Sequence, residues 1–164
     1  MERLVSLEIF AEIGIALAGF SGVAAAVAGR SPAGMLPRQR PGFWSVISIG
    51  FMLAILALVP RAIASYGVSE PIVWRTVCVV AVPFFVVPWL VLWRYHQRLD
   101  QAGHPSTSPW VYPVAGAIMA IVAASLLLGA AGVFPSFSVY YSSLVVLIGF
   151  AAQSFVLFLL VPQK

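Results

Sequence analysis

The stretch AEIGIALAGFSGVAAAVAG, Ala11 to Gly29, decides how the rest of the chain is read. It is apolar enough to lie in a bilayer, yet much of it is Gly, Ala or Ser, and two carboxylates, Glu8 and Glu12, stand one helical turn apart at its head. Residues on one helix face recur at spacings of three and four. Phe10, Ile13, Leu17, Phe20, Ala24 and Val27 make one stripe, bulky in its first four members. Ala11, Gly14, Ala18, Ser21, Ala25 and Ala28 make a second, small throughout, and Glu8, Glu12, Ile15, Gly19, Gly22, Ala26 and Gly29 make a third. The bulky stripe suits lipid. The small ones suit close approach of other helices, because membrane helices associate through van der Waals contact where lipid offers no hydrophobic drive. Gly14, Ala18, Gly19, Gly22 and Ala25 are the expected packing positions.

Ala26-Val27-Ala28 also resembles a signal-peptidase site after an apolar run. A signal peptide has a positively charged start and an uninterrupted apolar region. Here Glu2, Glu8 and Glu12 outnumber Arg3, and Glu12 falls within the apolar region. The expectation is a retained transmembrane helix.

Composition extends that reading to the whole chain. Of 164 residues, 62% are hydrophobic and 9% charged, with a mean hydropathy of +1.02. A soluble domain carries roughly 25% charged residues, so this inventory cannot build a water-facing surface, and the expectation is a single membrane domain over residues 1–164. The net charge of +4 rests on arginine, with Lys164 the only lysine. In a membrane protein such an excess sets orientation, and no basic patch interleaved with base-reading polar residues points to nucleic acid. Cys78 stands alone, which excludes an intramolecular disulfide and thiol-pair redox chemistry.

A spanning helix needs about 20 apolar residues. Five such spans are expected, over 4–29, 43–63, 72–94, 113–132 and 138–161. Arg30 to Gly42, with three prolines and three arginines, reads as a loop, and Ser65 to Pro71 as a turn. Glu70 before Pro71 suits the positive end of the third helix. Pro83 and Pro88 lie inside that helix, each removing a backbone hydrogen bond and predicting a kink. Arg94 to Asp100 reads as the same helix emerging into water, followed by a loop from Gly103 to Pro113. Residues 105–163 hold no Asp, Glu, Lys or Arg, and GAAGVFPSFS (Gly129 to Ser138) is the natural break between the last two spans.

An N-out, C-in arrangement puts Arg30, Arg38, Arg40, Arg94, Arg98 and Lys164 in the cytoplasm and Arg3, Arg61 and Arg75 outside, six against three, which obeys the positive-inside rule. Trp44, Trp89 and Trp93 then lie near the inner interface, with Trp74 and Trp110 near other helix ends.

The polar groups inside the spans bound the chemistry. With Gly29 near the inner boundary, Glu8 falls among headgroups and Glu12 about one turn inside the hydrocarbon. An acid at a helix centre costs about 2.5 kcal/mol or more, less near the edge, so Glu12 should be paired, protonated or water-facing. Arg61 and Arg75 end their helices at similar depth, which predicts a Glu12–Arg61 or Glu12–Arg75 pair; Glu12→Gln is then expected chiefly to lower thermal stability. A solute or ion pathway is the competing use of Glu12. Gln153, roughly two turns from the cytoplasmic end, suits an interhelical hydrogen bond. Ser45, Ser48, Ser125, Ser142, Ser143 and Ser154 can return hydrogen bonds to their own helices.

No lysine lies in any span, which excludes a retinal Schiff base, and no histidine does, which argues against transmembrane haem ligation or a Ser–His protease. His96 and His104 flank the third loop without metal geometry. HExxH and GxxxxGK[ST] motifs are absent. No catalytic activity and no cofactor are expected.

The run AEIGIALAGFSG (Ala11 to Gly22) resembles the opening helix of small, uncharacterised bacterial integral membrane proteins. That resemblance covers the first span, implies the inner (plasma) membrane of a bacterium, and brings no site residues with it.

The sequence therefore predicts an all-α, five-span bundle that meets lipid and associates with itself or with other membrane proteins. Two functions stay open: a small homo-oligomeric channel or transporter for an ion or compact solute, or a non-catalytic scaffold or accessory subunit. Glu8, Glu12, Arg61, Arg75 and Gln153 are the candidate polar cluster or pathway.

Overall fold

A backbone in hydrocarbon must satisfy its own N–H and C=O groups, and a helix does so within one segment. The computed structural model describes residues 2–27, 40–103 and 110–160, and there it contains five α-helices and no strand. These are α1 (Glu2–Val27), α2 (Arg40–Ala64), α3 (Glu70–Gln101), α4 (Val111–Ala130) and α5 (Ser136–Leu160). All five are long and apolar enough to cross a membrane. Residues 28–39, which hold most of the expected first loop, lie outside the described residues, as do His104, Lys164 and the side chain of Ala25.

The helix ends follow local chemistry. α2 begins at Arg40, three residues before the expected start, because Pro41 is tolerated in a first turn whose N–H groups need no intrahelical acceptor. α3 starts at Glu70 after Ser69, with Pro71 in its first turn and the acid at the positive end of the dipole. It runs without interruption through Pro83 and Pro88 to Gln101, so residues 94–101 continue the helix beyond the apolar run. At 32 residues it is about 48 Å long, against a hydrocarbon core of about 30 Å.

α4 ends in a Schellman motif. The Val133 N–H reaches the Leu128 carbonyl at 3.0 Å and the Gly132 N–H reaches Gly129 at 3.1 Å. Gly132 has φ +81°, a left-handed conformation that a β-carbon would strain. α5 then begins at Ser136. Backbone hydrogen bonds close this hairpin, which explains how an almost wholly apolar sequence makes it.

By its internal contacts the chain divides into two compact units, residues 1–67 with 144–164, and residues 68–143. In the first, α1 and α2 pack antiparallel, Gly14 opposite Gly50 and Glu8 opposite Arg61. In the second, α3 and α4 pack antiparallel, Trp89 against Gly116 and Cys78 against Gly129, and the first turns of α5 join α3 through Phe137 and Tyr140.

Large apolar side chains stay exposed along every helix, among them Ile15, Phe20, Phe51, Val91, Ile121 and Val145. Exposed apolar surface of this extent would drive association in water; a bilayer would solvate it.

Candidate functional site

The α1–α2 crossing is built on two glycines. A β-carbon on Gly14 would lie 2.5 Å from the Gly50 carbonyl oxygen and 3.0 Å from the Ala54 nitrogen; one on Gly50 would lie 2.5 Å from the Gly14 oxygen and 3.1 Å from the Ala18 β-carbon. The backbones meet directly, which the small-residue rule allows only at Gly. Of the expected packing positions, Gly14 and Ala18 lie at this crossing. Gly19 and Gly22 face open space, with nothing within 4 Å of an added β-carbon.

The three stripes of α1 therefore divide differently from expectation. Ala11, Gly14 and Ser21 of the second stripe are buried, whereas Glu12, Ile15, Gly19, Gly22 and Ala26 of the third are exposed. The bulky stripe is mixed: Phe20 is exposed, but Phe10 is 5% exposed and belongs to the core. One small stripe is enough to seat one neighbouring helix. Ser21 returns its hydroxyl to the Leu17 carbonyl at 2.7 Å, so its burial leaves no donor unmet.

Arg61, in the last turn of α2, donates to the Glu8 carboxylate. Glu12 is exposed and has no ion pair among the described residues. The expected Glu12–Arg61 pair is thus replaced by Glu8–Arg61, and the crossing accounts for it. Counting from Gly50, Arg61 lies about 16 Å along α2, while from Gly14 Glu8 lies about 9 Å and Glu12 only about 3 Å toward the same end. Glu8 is the carboxylate an arginine can reach from there. Both side chains are substantially exposed, 67% for Arg61 and 46% for Glu8.

In the second unit one group of polar side chains lies where α3 begins, α4 ends and α5 begins. Trp74 is buried, donates its indole N–H to Glu70 at 3.1 Å, and stacks edge-on against Phe137 with ring centres 4.9 Å apart. The Cys78 thiol lies 3.4 Å from the Ser136 carbonyl, and the Ser136 hydroxyl donates to the Gly129 carbonyl at 2.8 Å. Arg75 lies over Gly132, its Nη2 2.7 Å from where a β-carbon would stand. That puts a cation beside the negative end of α4. Deeper in α3, the Trp89 ring covers Gly116, and its Nε1 is buried without a hydrogen-bond partner among the described residues.

The Gln153 side chain is exposed and makes no hydrogen bond among the described residues, so the expected interhelical bond is not formed there. Ser143 does return its hydroxyl to its own helix, at the Tyr140 carbonyl, 2.6 Å away. Among the described residues no three His, Cys, Asp or Glu side chains stand together as a metal site would need.

No family model matches this chain, nor does any curated protein or solved structure.

Sequence reasoning misses Gly50, Gly116 and Gly132. Each is a glycine facing a neighbour's backbone or a bulky side chain, and a glycine says that space is needed without saying for what. The helix dipole explains Glu70 only in part; its bond to Trp74 follows from the i, i+4 spacing.

Proposed function

We propose that this multi-pass membrane protein is a homo-oligomeric channel or transporter for an ion or compact solute, with the exposed Glu12 face of α1 at its path. The observation that carries the reading is Glu12, which has no ion pair among the described residues. Arg61 is taken by Glu8, while Glu12 stands exposed about a turn deeper in the span. An ionisable group inside a membrane helix marks an ion or solute route by default, because lipid exposure is costly. A ring of such carboxylates from several copies favours cations. Gly19 and Gly22 continue the same face with open space beside them, which leaves room for a narrow route or a close neighbour.

The loop arginines support an N-out, C-in orientation, and the resemblance of the first span supports a bacterial inner membrane. The chain acts without catalysis in this reading.

The alternative is a non-catalytic scaffold or accessory subunit. The exposed Glu8–Arg61 pair and the sparse polarity deep in the spans favour it.

Flux measured in proteoliposomes decides between them. Wild-type protein is expected to conduct a small cation or proton, and Glu12→Gln to lose that flux while melting as wild type does. Absence of flux for every small ion tried, with folded protein in the vesicles, overturns the transport reading and leaves the scaffold.

A further inference from the structure

Thr76 to Trp93 is a charge-free run of 18 residues in α3, bounded by Arg75 and Arg94. At 1.5 Å per residue it covers about 27 Å, close to the hydrocarbon thickness of about 30 Å. When α3 crosses the bilayer, Arg94 therefore lies at the depth of lipid phosphates, and Arg98 one turn, about 6 Å, beyond it on the same helix face. The rings of Trp89 and Trp93 lie 5.5 Å apart just inside that level, where aromatic side chains mark the interface.

Both arginines are exposed, and neither side chain has an ion pair or hydrogen bond among the described residues. The one acid of this extension, Asp100, interacts with His96 a turn before it. Two guanidinium groups thus stand one turn apart, the first at phosphate depth and the second just beyond it, with no protein counter-ion among the described residues. Guanidinium binds phosphate through paired, charge-assisted N–H bonds.

We infer that Arg94 and Arg98 form a binding site for the phosphate of an anionic phospholipid headgroup. The inference rests on the membrane-spanning reading of α3. Basic residues just beside a span attract anionic lipid.

The test uses the purified full chain in detergent and native mass spectrometry, with phosphatidylglycerol, phosphatidylcholine or inorganic phosphate added at equal concentration. Wild type is expected to retain phosphatidylglycerol over phosphatidylcholine, and to gain nothing comparable from inorganic phosphate. Arg94→Gln with Arg98→Gln should weaken phosphatidylglycerol binding about fivefold for each arginine removed. Arg94→Lys with Arg98→Lys keeps the charge without the paired N–H bonds and should restore only part of it. Unchanged binding in the double Gln variant, or equal retention of the two lipids by wild type, overturns the site. Matching retention of inorganic phosphate overturns the lipid as its ligand. Equal melting of the variants in phosphatidylcholine shows that they fold. Release of the wild-type chain from membranes by alkaline carbonate would overturn the spanning reading itself, separately from the lipid site.

Discussion

Gly14 and Gly50 meet across the α1–α2 crossing so closely that a β-carbon on either would stand 2.5 Å from the other's carbonyl oxygen. Nothing flexible lies in between, so any added methyl must push the two helix backbones apart. This one relationship sets the register of the pair and, through it, which acid Arg61 can reach.

Gly50→Ala should therefore lower stability by about 1–3 kcal/mol, the usual range for overpacking. The measurement is the thermal midpoint of the solubilised protein. Gly19→Ala is the matched control: with open space around it, it should be neutral or gain up to about 1 kcal/mol of helix propensity. Equal losses from both would show that the crossing is not where the structure puts it.

The two acids of α1 should separate by assay. Glu8→Gln removes an exposed pair and should cost at most about 1 kcal/mol. Glu12→Gln should leave the melting curve in place and lower ion flux in proteoliposomes. A larger loss of stability from Glu12→Gln than from Glu8→Gln would restore the pairing first expected from the sequence.

Gly132→Ala meets two obstacles, a φ of +81° and the Arg75 guanidinium. The left-handed backbone alone should cost about 1–2 kcal/mol. Comparing Gly132→Ala in wild type and in Arg75→Ala separates the two by thermal unfolding: the cost should shrink, but persist, once the guanidinium is gone.

Trp89→Phe removes a buried indole N–H without a partner among the described residues while keeping an aromatic ring over Gly116. A buried unmet donor costs about 1–3 kcal/mol, so the substitution should be neutral or raise the thermal midpoint despite the smaller ring. A drop beyond what the smaller ring costs would mean that the N–H has a partner in the membrane.

Cys78 is fully buried, so maleimide should label it slowly in the folded protein and rapidly after denaturation. Its labelling rate should follow the unfolding curve, and Gly50→Ala should move that curve to milder conditions. Fast labelling of the folded chain would contradict the packing around Ser136.

Much of the architecture is legible residue by residue. The apolar run after Arg75 announces a helix that emerges at Arg94, and Gly129 to Ser138 announces the last hairpin. Both are local matters of apolar length and turn chemistry. The candidate site is legible only as a set of residue types. Glu8 and Glu12 are one turn apart on one helix, and composition cannot say which of them an arginine on another helix will meet. The small stripes carry the same ambiguity: Gly14 and Gly19 look alike in the sequence, yet one is covered and the other open.

Helix number, approximate helix bounds and the apolar outer surface can all be read along the chain, because length and hydropathy are properties of a single segment. That Gly14 meets Gly50, that Arg61 takes Glu8 and leaves Glu12 exposed, and that Trp89 rests on Gly116 emerge only once the helices are packed. Those outcomes depend on the rotation and register of one helix against another. Both are set by close packing summed over the whole contact, which no single stretch of sequence contains.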